Sequence, residues 1–385
     1  MGGHHAHRAA PETRAMRRLA LAVVVPLSLL TLGALIALWP EEGVGGTLSA
    51  SAASEAQGRI TAIDPAPCPP EVPEGGNGCG SARLTLADGT AVEAPLPNGP
   101  GTPQVDVGDD VVLIEVGSPE EPTYSIVDHQ RGAALWVVAA AFVLAVVAFG
   151  RWRGLAALAG LAVTFALLLL FVVPAILAGE PPVLVAVVGA AAIMLTVLYL
   201  THGVTLATTV AVLGTLAALT LTAALSAATV GLLHLTGVTD DLSFAVGSSY
   251  DVDTRGLLLA GIVIGALGVL DDVTITQGAT VTEIAAADPS AGFGRLYRAG
   301  SRVGRAHIAS VINTIVLAYA GSALPLLILL ATSNDSLGTV VTDQVIAQEI
   351  ARSVVATLGL IAAVPITTAL AAGVAVRTRR LDPTP

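Results

Sequence analysis

The chain has 385 residues, of which 54% are hydrophobic and 12% are charged, and its formal net charge is −11. A mean hydropathy of +0.78 excludes an ordinary soluble domain, in which about a quarter of the residues are charged. Apolar runs longer than about eighteen residues indicate membrane spans rather than buried core helices. The composition therefore predicts an α-helical polytopic membrane protein surrounded by a lipid bilayer, and we expect no nucleic-acid partner.

Eight stretches are predicted to cross the membrane: 19–38, 133–150, 155–178, 183–200, 204–226, 256–284, 308–331 and 353–376. With eight crossings, thirteen of the eighteen arginines lie on one side, and arginine accumulates in cytoplasmic loops. Both termini are therefore predicted to be cytoplasmic, in the inner membrane of a bacterial cell. Residues 1–18 and 377–385 form the tails, and residues 131–376 form a seven-helix membrane domain.

The first predicted span, 19–38, has two interpretations. Its apolar stretch of about twenty residues is longer than the core of a typical secretory signal peptide. The sequence TLSASAAS that follows is compatible with cleavage, but no Ala-x-Ala site comes directly after the span. The pattern favours an uncleaved anchor over a signal peptide.

A long segment between the first two spans, residues 39–130, is predicted to lie outside the cytoplasm. Within it, GRITAID, SARLTLADGTAVEAPL and DVGDDVVLIEVG show alternating or β-branched runs. Asp88-Gly89 is a hairpin signal between two such runs. The segment is therefore predicted to form a β-barrel or β-sandwich of about five strands, with a surface for an outer protein or ligand.

The two cysteines of the chain, Cys68 and Cys79, both lie in this external segment. They flank a loop of Pro, Gly and Glu without a regular pattern. A pair of cysteines that binds metal or acts in redox chemistry typically has C-x-x-C spacing or nearby histidines, and neither is present. The pattern favours a structural disulfide that closes the loop.

The sixth predicted span carries the most informative polar residues. Asp271 and Asp272 follow fifteen residues, 256–270, that include no charged side chain. At a rise of about 1.5 Å per residue, these cover about 22 Å of a hydrocarbon core that is about 30 Å thick. The two carboxylates are therefore predicted to lie inside the bilayer, where an ionised group is costly and marks a functional site.

On a helical wheel, the polar residues of this span form two adjoining stripes with Gln277 on one flank. The first stripe is Asp272, Thr276, Thr280 and Glu283, and the second is Asp271, Thr274, Gly278 and Thr282. On the side of the first stripe, Gly261, Gly265 and Gly268 are predicted to let a neighbouring helix approach closely. Two alternatives stay open. Either the helix ends at Leu270 and Asp271 caps a cytoplasmic helix, or the helix breaks inside the membrane and lines a cavity.

Polar residues elsewhere are candidates to complete the site. His307 and Asn313, at the start of the seventh span, extend a proton or cation path, because acids and histidines recur in membrane relays. On the outer side, Asp251 and Asp253 are read either as ligands of a hard cation or as part of a solvated acidic loop. Residues 340–353 are predicted to lie as a helix along the outer membrane interface.

Three sequence motifs resemble those of a known protein family. The runs GVLDDVTITQ, NTIVLAYAGSALPLLIL and EIARSVVATLGLIAAVPITTALAA occur in this order in the last three spans. In this combination, residues 133 to 376 resemble the YibE/F-like membrane proteins of Gram-positive bacteria. The resemblance supports the predicted topology and supplies no reaction. Because members of the family lack an attached ATPase, it implies that any transport would be secondary or coupled to a partner. It points to Asp271, Asp272, Gln277, Asn313 and Glu349.

Functions of three classes are compatible with the sequence. The first is a permease or secondary transporter of unknown substrate, coupled to a proton or a cation. Its candidate site is Asp271, Asp272, Thr274, Thr276, Gln277, Thr280, Glu283, His307 and Asn313. The second is a membrane scaffold or sensor whose outer β domain binds a partner. The third and least favoured is a Mg²⁺-dependent enzyme acting on lipid-linked substrates, because a DDxxD pattern fails at Ile275. No catalytic residue and no cofactor is predicted.

Overall fold

The computed structural model describes residues 14–40, 55–69, 76–118, 121–332 and 336–381. The chain divides into two compact units, one comprising Glu42–Arg151 and the other comprising Met1–Glu41 with Trp152–Pro385. Each unit has its own hydrophobic core.

The helices are numbered α1 to α11 along the chain. They are α1 (Arg14–Ala37), α2 (Gly132–Leu167), α3 (Val173–Leu177), α4 (Pro182–His202), α5 (Leu206–Leu232), α6 (Asp241–Tyr250), α7 (Thr254–Ala287), α8 (Phe293–Ser322), α9 (Leu324–Thr332), α10 (Leu337–Thr342) and α11 (Gln344–Leu381).

Five strands form one antiparallel sheet in the first unit, in the order β3-β2-β1-β4-β5. They are β1 (Glu55–Ala66), β2 (Cys79–Leu86), β3 (Ala91–Pro95), β4 (Asp110–Ser118) and β5 (Glu121–His129). The outer strands β3 and β5 also contact each other, so the sheet curls around its core into a small barrel. This connectivity is typical of the OB-type Greek-key barrel. The prediction of a β domain with about five strands is confirmed.

Local sequence explains the sheet. The β1 register shifts between Ile60 and Ala62, and such a bulge bends a strand so that it can pair on both sides. The predicted turn joins β2 to β3, with Gly89 at φ +88° and the Asp88 carboxylate accepting a hydrogen bond from the Thr90 amide at 2.9 Å. Ile60, Leu84, Val111 and Leu113 fill the core at 1% exposure or less. The predicted Cys68–Cys79 disulfide is present.

Seven helical stretches among the described residues are long and apolar enough to cross a membrane, one fewer than the eight predicted spans. The difference comes from Gly132–Leu177, which counts as one helical stretch of 46 residues and would be about 69 Å long if it were straight. This length is more than twice the hydrocarbon thickness of about 30 Å. Arg151, with φ 51° and ψ −129°, interrupts the helical geometry between the predicted spans 133–150 and 155–178. Eight crossings therefore stay a prediction.

The core of the second unit is a bundle in which α5, α7 and α11 pack on one another, with α4 and α8 against them. Small residues set the closest approach. A Cβ at Gly214 of α5 would collide with the hydroxyl of Thr367 of α11, and a Cβ at Gly359 of α11 would collide with the hydroxyl of Thr222 of α5. The α5–α11 seam, defined by these two Gly–Thr pairs, is antiparallel and reciprocal.

Within the described chain, no helix packs closely on the glycines predicted to form a contact surface on the sixth span. Nothing within the described chain lies within 4 Å of a Cβ built at Gly261 or Gly268, and Gly265 meets only the Tyr319 hydroxyl, at 3.3 Å. All three glycines are exposed. A glycine pattern indicates that a helix can approach, and here the approaching helices use the glycines of α5, α8 and α11 instead.

Three further predictions on helix limits need correction. α7 runs without interruption from Thr254 to Ala287, so neither an N-cap nor a break occurs at Asp271. α8 begins at Phe293, fifteen residues before the predicted seventh span at 308. The predicted helix over 340–353 is divided at Asp343, and its second part is the start of α11. These helices extend beyond their apolar segments because polar residues also form regular helix outside the hydrocarbon core.

Candidate functional site on α7

On the buried face of α7, Thr274 and Gln277 form hydrogen bonds to neighbouring helices. The hydroxyl of Thr274 lies 2.6 Å from the hydroxyl of Thr215 on α5. The Gln277 amide donates to the Gly300 carbonyl of α8 at 3.0 Å and to the Thr368 hydroxyl of α11 at 2.7 Å. Gln277 is only 4% exposed, and it joins three helices. This face therefore holds the bundle together.

The absence of a Cβ at two positions of α8 makes room for the side chains of Gln277 and Val281 on α7. A Cβ at Gly304 would lie 2.7 Å from the Gln277 carbonyl oxygen, and one at Gly300 would lie 2.7 Å from a methyl of Val281. The distance from the Gly304 position to the Gln277 oxygen is shorter than a Cβ atom in a protein ever shows. Gly300 and Gly304 are thus required where α8 crosses α7, and this packing was not predicted from the sequence.

The opposite side of α7 is exposed along its whole length. We call it the open face, and its members are Gly261, Gly265, Gly268, Asp272, Thr276, Ala279 and Glu283. The residues recur every three or four positions, as one face of an α-helix does. Asp272 and Glu283 are eleven residues apart, which is about 16 Å along the axis. The first predicted stripe, except the half-buried Thr280, belongs to this face.

A groove of about 550 Å³ lies over the C-terminal half of the open face. Its α7 residues include Thr276, Thr280 and Glu283. His202, at the end of α4, and Val303, on α8, line it from the neighbouring helices. Part of the predicted site is therefore gathered around one cavity, and Val303 is a lining residue that no polar pattern could have indicated.

The two neighbouring aspartates point in different directions, because successive residues of an α-helix are about 100° apart. Asp272 is exposed on the open face, one turn from Thr276. Asp271 is half-buried, and its Oδ1 is buried without a hydrogen-bond partner in the described chain. The two carboxylates therefore do not form a single twin site on one surface.

His307 does not line the groove, but it lies further along the same helix as Val303, which does. It follows Val303 of α8 by one turn, whereas Asp272 precedes Thr276 of α7 by one turn. Because α7 and α8 are antiparallel, both residues extend the groove in the same direction. The Nε2 atom of His307 is buried and has no partner among the described residues. Asn313 lies nearly two turns further along α8, is exposed and does not line the groove.

Asp240 and Asp253, in the segments before α6 and α7, serve as helix caps. Asp240 forms a capping box with Ser243 at the start of α6, and Asp253 accepts from the Arg255 amide at 3.1 Å at the start of α7. Hydrogen bonds from the Ser243 backbone and side chain hold the pKa of Asp240 below its usual range. The described residues contain no group of three or more His, Cys, Asp or Glu that could hold a metal ion.

A second polar cluster lies near the other end of the bundle. Glu349 and Arg352 of α11 form an ion pair at 3.1 Å, and Tyr319 of α8 interacts electrostatically with both. Gln348 is 5% exposed, and its side-chain oxygen has no partner in the described part of the chain. Of these, Glu349 was indicated by the family resemblance, and Tyr319 was among the polar residues of the seventh span that could complete a site.

The fold and these helices define a polytopic α-helical membrane protein with a small β unit. A family model described as YibE/F-like protein matches residues 138–377, which is more than half of the chain. The chain therefore belongs to the YibE/F-like family, as the three motifs indicated. No curated protein and no solved structure matches it significantly.

Proposed function

We propose that this protein is a permease of a bacterial cytoplasmic membrane in which a proton or a cation moves along the open face of α7. The observation that carries the proposal is the placement of two carboxylates, Asp272 and Glu283, on the exposed side of a membrane helix whose other side is fully packed. Structural needs of the bundle do not account for them, since no helix of the described chain covers them.

The free-energy cost of an ionised side chain inside the membrane supports a functional role for these carboxylates. An ionised side chain at membrane depth costs several kcal/mol, about 2.5–3.5 by insertion scales, unless it is hydrated or paired. Neither Asp272 nor Glu283 forms an ion pair in the described parts of the structure. A mobile cation or a proton is the partner that such a group would accept and release.

The groove offers oxygen ligands between the two carboxylates. The Thr280 hydroxyl donates to the Thr276 carbonyl at 2.8 Å, which leaves its oxygen lone pairs directed away from the backbone. Carboxylate and hydroxyl oxygens suit hard cations. Histidine recurs in the proton relays of membrane proteins, so His202 in the groove and His307 on α8 would suit a proton path equally well.

The proposal includes the orientation of the protein in the membrane. The arginines of the predicted cytoplasmic side lie before α1 and in its first turns, after Gly150, in the first half of α8 and at the end of α11. The groove around Glu283 would then open toward the cytoplasm, with Asp272 deeper in the membrane and residues 39–130 outside.

Ion flux tests the proposal directly. Purified full-length protein is placed in phosphatidylcholine vesicles loaded with a pH-sensitive dye, and proton entry is driven by a potassium-diffusion potential. We expect faster acidification than in empty vesicles, and Asp272→Asn should return the rate to that of empty vesicles. Asp241→Asn, which removes an exposed carboxylate in the first turn of α6, is the matched control and should leave the rate unchanged.

The same vesicles with a sodium gradient and a sodium-sensitive dye extend the test to a metal cation. If neither ion enters faster than in empty vesicles, or if Asp272→Asn conducts as well as the wild type, the proposal is wrong. Equal reconstituted amounts of each variant, checked by gel, exclude a trivial loss of protein.

The β unit supports a second candidate function, a scaffold or sensor that binds a partner. It has its own core and its own disulfide, so it can present a surface independently of the membrane helices. A groove of about 540 Å³ lies beside the Arg59–Asp110 ion pair. Deletion of residues 40–130 would abolish a scaffold function, whereas Asp272→Asn would not.

A further inference from the structure

The first half of α8 presents a row of arginines that the proposed function does not use. Arg298, Arg302 and Arg305, which we call the arginine row, are all exposed. At 100° per residue they fall within a sector about 60° wide. Gly300, Gly304 and Ile308 occupy the buried side of the same helix, so the row points away from the bundle.

The arginine row lacks acidic partners. The sequence of α8, from Phe293 to Ser322, contains neither Asp nor Glu. Arg295, just before the row, pairs with Asp288 at 3.0 Å, whereas no member of the row forms an ion pair within the described residues. Arg298 donates only to the Gly294 carbonyl, at 3.1 Å. Three guanidinium groups thus present donors that suit oxyanions.

The position of the row along α8 selects the kind of oxyanion. Arg305 precedes the predicted hydrocarbon segment at 308 by three residues, and the row from Arg298 to Arg305 is about 10 Å long. Beyond it, α8 continues with exposed apolar side chains, Val316 at 45% and Leu317 at 62%, which suit contact with lipid tails. The stacked rings of Phe293 and Tyr297 precede the row, and aromatic residues favour the membrane interface.

We propose that the arginine row binds the phosphate groups of anionic phospholipids in the cytoplasmic leaflet. Guanidinium groups pair with phosphate bidentately, and interfacial clusters of basic residues attract anionic headgroups. The lipid is the occupant because the row lies on the side of α8 that continues into lipid-facing residues. Lipid bound here holds α8 at its depth, and Val303 on this helix lines the α7 groove. The inference does not depend on transport.

Lipid-dependent stability tests the inference. Wild-type protein in dodecyl maltoside is mixed with phosphatidylglycerol, with phosphatidylcholine or with inorganic phosphate, and Tm is measured. We expect phosphatidylglycerol to raise Tm, because a ligand that binds the folded state stabilises it. The other two additions should leave Tm unchanged. The variant Arg298→Gln/Arg302→Gln/Arg305→Gln should lose most of the rise.

A second triple variant matches the charge change elsewhere. Arg59→Gln/Arg83→Gln/Arg131→Gln removes three exposed arginines of the β unit, and it should keep the full rise. An equal rise in the α8 variant, an equal loss in the β-unit variant, or the same rise with inorganic phosphate alone would overturn the inference. If the α8 triple variant does not fold, native mass spectrometry of Arg302→Gln replaces it. Fewer retained phosphatidylglycerol molecules than in wild type would support the inference, and an equal number would overturn it.

Discussion

The two faces of α7 differ in whether their polar groups have partners on other helices. On the buried face, Thr274 and Gln277 have partners on α5, α8 and α11, and their hydrogen bonds connect four helices. On the open face, Asp272 and Glu283 have no partner in the described chain. The same helix therefore carries polar groups that bond to neighbouring helices and polar groups for which the packing of the bundle gives no reason.

The comparison separates stability from function within one helix. A buried polar group must be bonded, because leaving it unsatisfied costs about 1–3 kcal/mol. Substitutions on the buried face should therefore change unfolding, whereas substitutions of open-face carboxylates should change ion flux and leave unfolding nearly unaltered. The predictions below test this division on α7 and on the seam that packs beside it.

The largest loss of stability is expected at the α5–α11 seam. Gly359→Ala places a methyl group against the Thr222 hydroxyl, and overpacking of this kind costs about 1–3 kcal/mol. The free energy of unfolding, measured by titrating the protein in mixed micelles with dodecyl sulfate, should fall by this amount.

Removing the opposing hydroxyl provides the control for the seam. Once Thr222→Ala is added, the nearest Thr222 atom to the new methyl is its Cβ, at 3.2 Å, so most of the lost stability should return. If Gly359→Ala alone is neutral, or if the double variant is no better than the single one, the seam does not set the helix spacing.

Gln277→Leu should have the next largest effect. It removes the donor to Gly300 and Thr368 while keeping a buried side chain of similar size. Hydrogen bonds between membrane helices are worth about 0.6 kcal/mol on average and up to about 1.7, so two of them predict a loss of about 1–2 kcal/mol. The same titration measures it, with Thr280→Val beside the open face as the matched variant that should change less.

Sequence patterns predicted the elements of this molecule better than their contacts. The β unit, its Asp88-Gly89 turn, its disulfide and the apolar helices follow from local periodicity and spacing, which act over a few residues. The wheel of α7 likewise placed Asp272, Thr276 and Glu283 on one side. Such features are encoded by near neighbours in the chain.

Contacts between helices could not be predicted in the same way. Gly261, Gly265 and Gly268 fit a packing pattern as well as Gly214 and Gly359 do, and only the tertiary arrangement distinguishes them. Gln277 was assigned to a transport site, although its partners are 23 and 91 residues away in the chain. The continuity of α7 through Asp271 also depends on burial by other helices, which a single span does not reveal.

Thr274→Val should have a smaller effect. It removes the 2.6 Å contact with Thr215 and replaces the hydroxyl with a methyl of similar volume, so a loss of about 0.6 kcal/mol is expected. The double variant Thr215→Val/Thr274→Val should cost little more than the single one, because the contact between the two hydroxyls is already lost and the Thr215 hydroxyl then bonds only to the Ala211 carbonyl of its own helix. A much larger cost of the double variant would show that the contact is packing and not hydrogen bonding.

The smallest effect is expected on the open face, at Gly268→Ala. Nothing in the described chain lies within 4 Å of the added methyl, and alanine favours helix over glycine by about 1 kcal/mol, so unfolding in micelles should be unchanged or slightly harder. Gly359→Ala, the same chemical change on the seam, is the matched opposite. A loss of stability at Gly268 would mean that another helix covers the open face, and the groove beside Asp272 would then be a packing surface. An unchanged or higher stability would leave that face available for the ion path.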